Sequence, residues 1–255
     1  MSRRVLGVIP ARYASSRFPG KALATLAGRS LLEHVHERVS MARYIDAVLV
    51  ATDDERIACE ARRFGAQVRM TRSDHSSGTD RVAEVASSED AAIVVNIQGD
   101  EPLIDPGAID AAILPLIEEP AIQMATLSKR IEDEREIGDP NVVKVVTDRH
   151  RNALYFSRSA LPHVRVGGEL PAFFKHTGLY VFRRAFLLRY PDLPIGPLEQ
   201  AERLEQLRAL ENGFKIRVIE TEYESFGVDT PEDLERVTYL FERSAQPAAI
   251  GIKNG

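Results

Sequence analysis

The chain has 255 residues, enough for one large α/β domain that buries roughly three quarters of its unfolded surface. Hydrophobic and charged fractions of 44% and 28% exclude a disordered or fibrous chain. A net charge of −5, one cysteine (Cys59), no apolar run of membrane-spanning length and no signal-peptide pattern exclude general nucleic-acid binding, an internal disulfide framework and a membrane span, and predict a cytoplasmic protein.

The first predicted strand, Val5 to Ile9, breaks at Pro10 into a loop that carries Arg12, Arg17 and Lys21 among small residues. From Met1 to Leu32 there are six Arg or Lys and no Asp or Glu, a cationic island on an anionic chain. Such a loop is either a basic stretch of surface or a cradle for phosphate, in which Arg forks and a Lys charge neutralise the anion. Ser30-Leu31-Leu32-Glu33 has the capping-box pattern and predicts the first helix, with Leu31, Leu32, Val35 and Val39 on one face. A second strand follows at Ala47 to Thr52, then a helix that starts near Asp53, Asp54 and Glu55 and stops at Gly65. A short third strand, Gln67 to Thr71, leads into the polar run Arg72 to Arg81, which reads as a solvated loop or a binding loop.

The fourth strand, Ala92 to Ile97, is continuously apolar, as expected where helices cover both faces of a parallel sheet. It ends in Gln98-Gly99-Asp100-Glu101-Pro102, and a helix at Pro106 to Glu118 and a strand at Gln123 to Ser128 follow. This alternation predicts a doubly wound, mostly parallel α/β sheet of Rossmann-like type, with ligands beyond the carboxyl ends of its strands at a switch point. The polar clusters at 10–21, 72–81 and 98–102 all follow strands and should meet at one rim.

The second half changes character. Val142 to Thr147 and Asn152 to Ser157 predict an antiparallel hairpin, inserted beside the main sheet as a small subdomain at about 140–180. Val164 to Ala172 reads as loop, Lys175 to Phe182 as a strand, Leu198 to Leu210 as one periodic helix and Ile216 to Thr221 as a late strand. In Gly227 to Leu234, Thr230 can cap a helix with Pro231 in its first position. One domain over 1–243 is expected, with 244–255 as a flexible tail.

Asp100 and Asp229 each follow an apolar strand. Singly each reads as a turn or cap residue; paired at the rim of a phosphate site they would hold a hard divalent cation, Mg2+. The Walker pattern and G-x-G-x-x-G are both missing, which disfavours a P-loop ATPase and a nicotinamide dehydrogenase. No histidine has zinc-site spacing, although His176, beside Lys175 and ahead of a strand, could meet an anionic substrate. Cys59 falls inside a helix with nothing to activate it.

Four segments in register, Ile9 to Lys21, Met70 to Arg81, Asn96 to Pro102 and Gly227 to Leu234, closely resemble the 3-deoxy-manno-octulosonate cytidylyltransferases, the CMP-KDO synthetases. The resemblance runs in order from about residue 5 to residue 240. It implies a nucleotidyltransferase that moves CMP from CTP to the anomeric hydroxyl of the eight-carbon sugar acid KDO, releases pyrophosphate and so activates the sugar for lipopolysaccharide assembly. By the same resemblance Arg12, Ser15 and Lys21 grip the triphosphate, Asp100 and Asp229 bind magnesium, and Ala11, Arg72, Asp74 and Ser77 surround the cytosine. Gln98, Arg158, His176, Tyr180 and Glu205 line the sugar pocket, with Arg158 or a protonated His176 facing the sugar carboxylate. A homodimer formed through residues 140–180 is implied as well. The stretch Leu161 to Gly168 lacks the tryptophan that often follows its proline in this family, which leaves open a related acceptor, an amino-substituted KDO or a nonulosonic acid. A nucleotide-binding relative without catalysis is the remaining alternative.

Overall fold

The structure is a computed structural model that describes residues 4–14, 17–168 and 170–245. The first strand, β1 (Val5–Ala11), runs into the basic loop, a short 3-10 turn at Lys21–Leu23 and a two-residue ribbon of β2 (Thr25–Leu26) and β3 (Arg29–Ser30). Then come α1 (Leu31–Ser40), β4 (Ala47–Thr52), α2 (Glu55–Arg63), β5 (Gln67–Met70), α3 (Gly78–Ser88), β6 (Ile93–Asn96), α4 (Pro106–Glu118) and β7 (Met124–Arg130). The second half holds α5 (Arg135–Gly138), the hairpin β8 (Lys144–Thr147) and β9 (Ala153–Ser157), β10 (Phe174–Arg183), α6 (Arg184–Leu187), α7 (Pro197–Glu202), α8 (Leu207–Glu211), β11 (Ile216–Glu220) and α9 (Pro231–Ala245).

The main sheet has the order β11-β7-β10-β6-β1-β4-β5. Pairs β1–β4, β1–β6, β4–β5 and β7–β11 are parallel, and β10 alone on this path runs antiparallel to its neighbours β6 and β7. From β1 the chain first winds to one side through β4 and β5 and then crosses to β6 on the other. That reversal opens a crevice at the carboxyl ends of β1 and β6.

Both faces of β1 are buried. Val5 and Ile9 join a cluster with Leu32, Val35, Ile57, Ile109 and Ile113; Leu6 and Val8 join a second with Val82, Phe182, Phe186, Tyr190 and Leu207. Alternate residues of one strand therefore feed two layers of helix, which is why the strand reads as an unbroken apolar run.

Helix starts follow side-chain chemistry. The Ser30 hydroxyl accepts from Glu33 N–H, Asp54 caps α2, Ser77 caps α3 and Asp105 caps α4. Thr230 Oγ1 accepts from Asp233 N–H at 3.2 Å while Asp233 Oδ2 accepts from Thr230 N–H at 2.9 Å, so the start of α9 is capped reciprocally.

Two elements differ from expectation. The end of the polar run is helical, because Ser77 caps α3 and Val82, Val85 and Ala86 pack under it. The single helix expected over Leu198 to Leu210 is two short ones. Arg203 between them is left-handed, φ +52°, and the break lets Leu204, Gln206 and Arg208 all turn inward. Arg208 Nη2 then meets Glu199 Oε1 at 2.6 Å inside the protein.

The hairpin is an extension of the sheet. It joins β10 at Lys175 and Lys144, and the buried Lys144 ammonium donates to the carbonyls of Asp139, Val142 and Arg158. α9 extends to Ala245, and the rest of the expected tail, 246–255, lies outside the described residues.

A third, small cluster holds the basic loop to the last helix: Leu26 and Leu31 pack on Val228 and Val237, with Phe18 and Leu234 against them. Leu26 is fully buried there. Leu26→Ala should remove about 2–4 kcal/mol of unfolding free energy, read as a lower urea midpoint at unchanged slope.

Candidate functional site

A cavity of about 300 Å³ opens where the three polar clusters meet. It is lined by Pro10, Ala11, Arg12, Arg17 and Lys21 after β1, by His75 to Gly78 and Arg81 around the start of α3, by Gln98, Gly99 and Asp100 after β6, and by Asp229 ahead of α9. The loops after β1 and β6 lie side by side: a Cβ on Gly99 would come within 3.3 Å of the Pro10 carbonyl, so a side chain there would push them apart. Gly20 is left-handed at φ +72° and lets the basic loop turn back beneath Tyr13, whose carbonyl accepts from Gly20 N–H at 2.8 Å.

Lys21 is the centre of the site. Its ammonium donates to Asp100 Oδ2 and, at 3.1 Å, to Asp229 Oδ1, while Arg17 Nη2 reaches Asp229 Oδ2 at 2.9 Å. The Lys21 and Asp100 side chains are only 20% and 21% exposed. Burial works to lower the Lys21 pKa, but attraction to Asp100, with hydrogen bonds to both carboxylates, outweighs it and raises the value above that of an ordinary lysine. Arg12 is exposed and has no ion-pair partner among the described residues, so a cation is left facing the cavity.

The carboxylate oxygens of Asp100 and Asp229 converge on one cation position, now filled by the lysine. Among the described residues no three His, Cys, Asp or Glu side chains gather to form a metal cage. Two hard oxygen donors beside a loop rich in Arg and Lys are of the type that suits a Mg2+ ion with phosphate and water as its other ligands.

Of the other residues drawn from the sequence, Ala11, Ser77 and Gln98 line the cavity, and Ser15 lies outside the described residues. Arg72 and Asp74 are exposed, pair with each other at 3.3 Å and line an adjoining depression that shares His75 and Ser76 with the cavity. The remaining four flank the hairpin side. The β10 backbone at Gly178 passes Gln98 closely, and from there Tyr180 and His176 lie in a row, ring centroids 5.5 Å apart. Tyr180 Oη donates to Gln206 Oε1 at 3.0 Å. Glu205 is held by the hydroxyls of Ser77 and Thr79 at the start of α3, and its burial raises its pKa. Arg158 donates from Nε to the Glu202 carbonyl and from Nη1 to the Pro140 carbonyl, outside the cavity lining.

His176 departs from expectation as a cation. It is packed between Phe156 and Tyr180 with Nε2 2.9 Å from Thr126 Oγ1, and burial drives its pKa down to about 3. The ring is therefore neutral at pH 7 and can offer a substrate only a dipole. The Thr126 hydroxyl donates at 2.7 Å to the Leu179 carbonyl, at the irregularity in β10 between Thr177 and Tyr180.

A match to the family model described as Cytidylyltransferase covers residues 6–216. A 3-deoxy-manno-octulosonate cytidylyltransferase of Solibacter usitatus (strain Ellin6076) is 65% identical over 96% of this chain and 97% of its own. That of Syntrophotalea carbinolica is 56% identical over 91% of this chain and 96% of its own. The solved structure of a CMP:2-keto-3-deoxy-manno-octonic acid synthetase complexed with CTP superposes with a TM-score of 0.91 at 42% identity, covering 94% of this chain and 99% of that one. The chain belongs to the 3-deoxy-manno-octulosonate cytidylyltransferase family. The resemblance in the four segments thus extends over nearly the whole length. The mostly parallel sheet and its helices are those of the family.

The cavity also holds groups that a reading by segments passed over. Arg81, buried in α3, reaches Asp53 at 3.1 Å and the Thr71 hydroxyl, and His75 pairs with Glu84; the loop before α3 is pinned at both ends. Their signal in the sequence was only a polar run. Glu101, next to Asp100, is buried, and that burial pushes its pKa up to about 7 against the hydrogen bonds from Ser225 and Tyr223. The folded state then binds this proton more tightly than the unfolded chain does. Its contribution to stability is complete below about pH 4.5 and is lost as pH rises to about 7, on the order of 3 kcal/mol in all. Glu101→Gln cannot ionise, so its unfolding free energy by urea titration should lack that part of the decline between pH 5 and 7.5.

Proposed function

We propose that the cavity is the active site for transfer of CMP from CTP to the anomeric hydroxyl of KDO, with pyrophosphate as the second product and an activated sugar for lipopolysaccharide assembly as the first. The observation that carries this reading is the Lys21 ammonium between Asp100 and Asp229 at the foot of a loop whose Arg12 and Arg17 also face the cavity. The triphosphate lies along that loop, neutralised by Arg12, Arg17 and Lys21, with Ser15 assigned by the family resemblance as a hydrogen-bond donor. The cytosine sits among Ala11, Ser77 and the Arg72–Asp74 rim, and the sugar extends from Gln98 along Tyr180, His176 and Glu205 toward Arg158.

In the reaction the sugar hydroxyl oxygen bonds to the α-phosphorus, the bond to the bridging α–β oxygen breaks in line, and pyrophosphate leaves with that electron pair while the hydroxyl proton is lost to solvent. Positioning and charge stabilisation supply most of the acceleration for such a transfer. Lys21 and the arginines hold the negative charge that grows on the leaving group. Asp100 and Asp229 fit a Mg2+ ion, which when bound supplies Lewis-acid neutralisation of phosphate oxygens. The neutral His176 and Tyr180 orient hydroxyls, and charge recognition of the sugar carboxylate falls to Arg158.

The test is pyrophosphate release by the purified chain with CTP, Mg2+ and a panel of acid sugars. KDO should be turned over fastest; a preference for 8-amino-KDO or a nonulosonic acid would reassign the acceptor, and CTP binding without turnover on any of them would leave a non-catalytic relative. Lys21→Ala should lower kcat by about 10²- to 10³-fold, and Asp100→Ala by at least as much with the fold retained by circular dichroism.

A homodimer through residues 140–180 belongs to the same reading. Large apolar side chains are exposed in that part of the chain, Leu154 at 63%, Val166 at 107% and Leu170 at 70%, as a contact surface requires. Light scattering on an eluting peak should give twice the 28.4 kDa chain mass, and Leu154→Glu with Leu170→Glu should shift it toward the monomer.

A further inference from the structure

Between β11 and α9 the chain from Thr221 to Asp229 forms neither helix nor strand, yet it delivers Asp229 to the cavity. It crosses the carboxyl ends of the sheet as a strap, fastened at successive residues. Thr221 N–H donates to the Ser128 carbonyl at 2.9 Å. Glu224 pairs with Lys129 at 2.8 Å and Lys175 at 2.6 Å on one side. Tyr223 and Ser225 use their hydroxyls on Glu101: Tyr223 Oη donates to Oε2 at 2.9 Å, and Ser225 Oγ donates to Oε1 at 2.8 Å. Val228 N–H donates to the carbonyl of Asp100, also at 2.9 Å.

Glu101 therefore spends both carboxylate oxygens on two hydroxyls of one segment. Burying a carboxyl group beside Asp100 costs free energy that an apolar residue filling the same space would not incur. What the group gains is reach, since it spans two strap residues from the position adjacent to Asp100 in the chain. Its side chain and the Asp100 carbonyl together clamp the strap on either side of Phe226 and Gly227.

We propose that Glu101 is a positioning residue, which through Tyr223 and Ser225 holds the strap so that Asp229 faces Asp100 across the cation position occupied by Lys21. This rests on the reading of Asp100 and Asp229 as a pair that works on one cation. Asp229 is 45% exposed and follows a buried Val228, so its own side-chain contacts, to Lys21 and Arg17, are the ones a bound nucleotide would disturb. The strap contacts lie behind it and stay in place.

The test uses the full chain with Glu101→Ala, Glu101→Gln, the double variant Tyr223→Phe/Ser225→Ala, and Asp229→Asn as control. Three quantities are read: kcat and KM for CTP by pyrophosphate release, Mn2+ affinity in the presence of CTP by electron paramagnetic resonance, and Tm. Glu101→Ala and the double variant should lower kcat by more than tenfold and weaken Mn2+ by about tenfold, with KM for CTP within threefold of wild type. Glu101→Gln keeps an acceptor for one hydroxyl and an amide for the other, and should recover kcat and Mn2+ affinity to within threefold. A lower Tm with wild-type kcat and Mn2+ affinity in both disrupted variants would overturn the proposal, because the contacts would then be structural only. If Glu101→Ala does not fold, the double variant, which leaves the carboxyl in place, decides alone. Asp229→Asn separates the two levels: impaired Asp229→Asn beside unaffected strap variants defeats the positioning proposal only, whereas a wild-type Asp229→Asn removes the pairing of aspartates and the proposal with it.

Discussion

Two carboxylates aimed at one point need a cation there. At ~4 Å and an effective dielectric near 20, like charges repel by ~4 kcal/mol, and the low exposure of Asp100 weakens screening by water. In this chain the requirement is met by Lys21, with Arg17 on the far oxygen of Asp229. The four groups come from three segments, the loop after β1, the loop after β6 and the entry to α9, so one electrostatic cluster ties together residues more than two hundred positions apart. The same cluster that constrains the fold sits where the cavity opens.

The sheet explains why those segments can meet. A reversal of winding at β1 leaves a crevice at the carboxyl ends of β1 and β6, and the loops after these strands pack closely at Pro10 and Gly99. The antiparallel β10 then carries the row Gly178, Tyr180 and His176 away from that crevice toward the hairpin. On the cavity side the groups are charged and partly open; on β10 His176 and Tyr180 are packed ring to ring and hydrogen-bonded to Thr126 and Gln206. The first environment suits a polyanion that brings its own counterions, the second a polyhydroxylated ring whose orientation depends on dipoles.

Much of this was legible from residue order because its causes are local. Apolar runs of branched residues announce strands covered on both faces, and Ser30 and Thr230 announce helix starts by side-chain capping. The basic loop stood out because charge of one sign was concentrated there against a net negative chain. What local patterns missed was set by tertiary contact. The break at Arg203 is invisible in a periodic apolar pattern, since the inward turn of Gln206 depends on Tyr180 in β10 and that of Arg208 on Glu199 across the break. His176 looked cationic beside Lys175, yet strand alternation sends Lys175 to Glu136 and Glu224 and buries His176 against Phe156.

Glu101 illustrates the same limit at the site itself. In the sequence it is the second acid of Gly-Asp-Glu-Pro, and nothing in the local pattern distinguishes it from a solvated turn residue. In the fold the two adjacent carboxyl groups divide: Asp100 projects into the cavity toward Lys21, and Glu101 projects behind it toward Tyr223 and Ser225. Because the side chains diverge from consecutive backbone positions, any displacement of the strap that follows Glu101 is referred to the same short stretch of chain that carries Asp100. Asp229 is thus placed with respect to its partner carboxylate by a path of a few residues, rather than through the long route around the sheet. In the proposed role of the pair such a short path matters, since each additional flexible link between the two carboxylates would widen the spread of their separation.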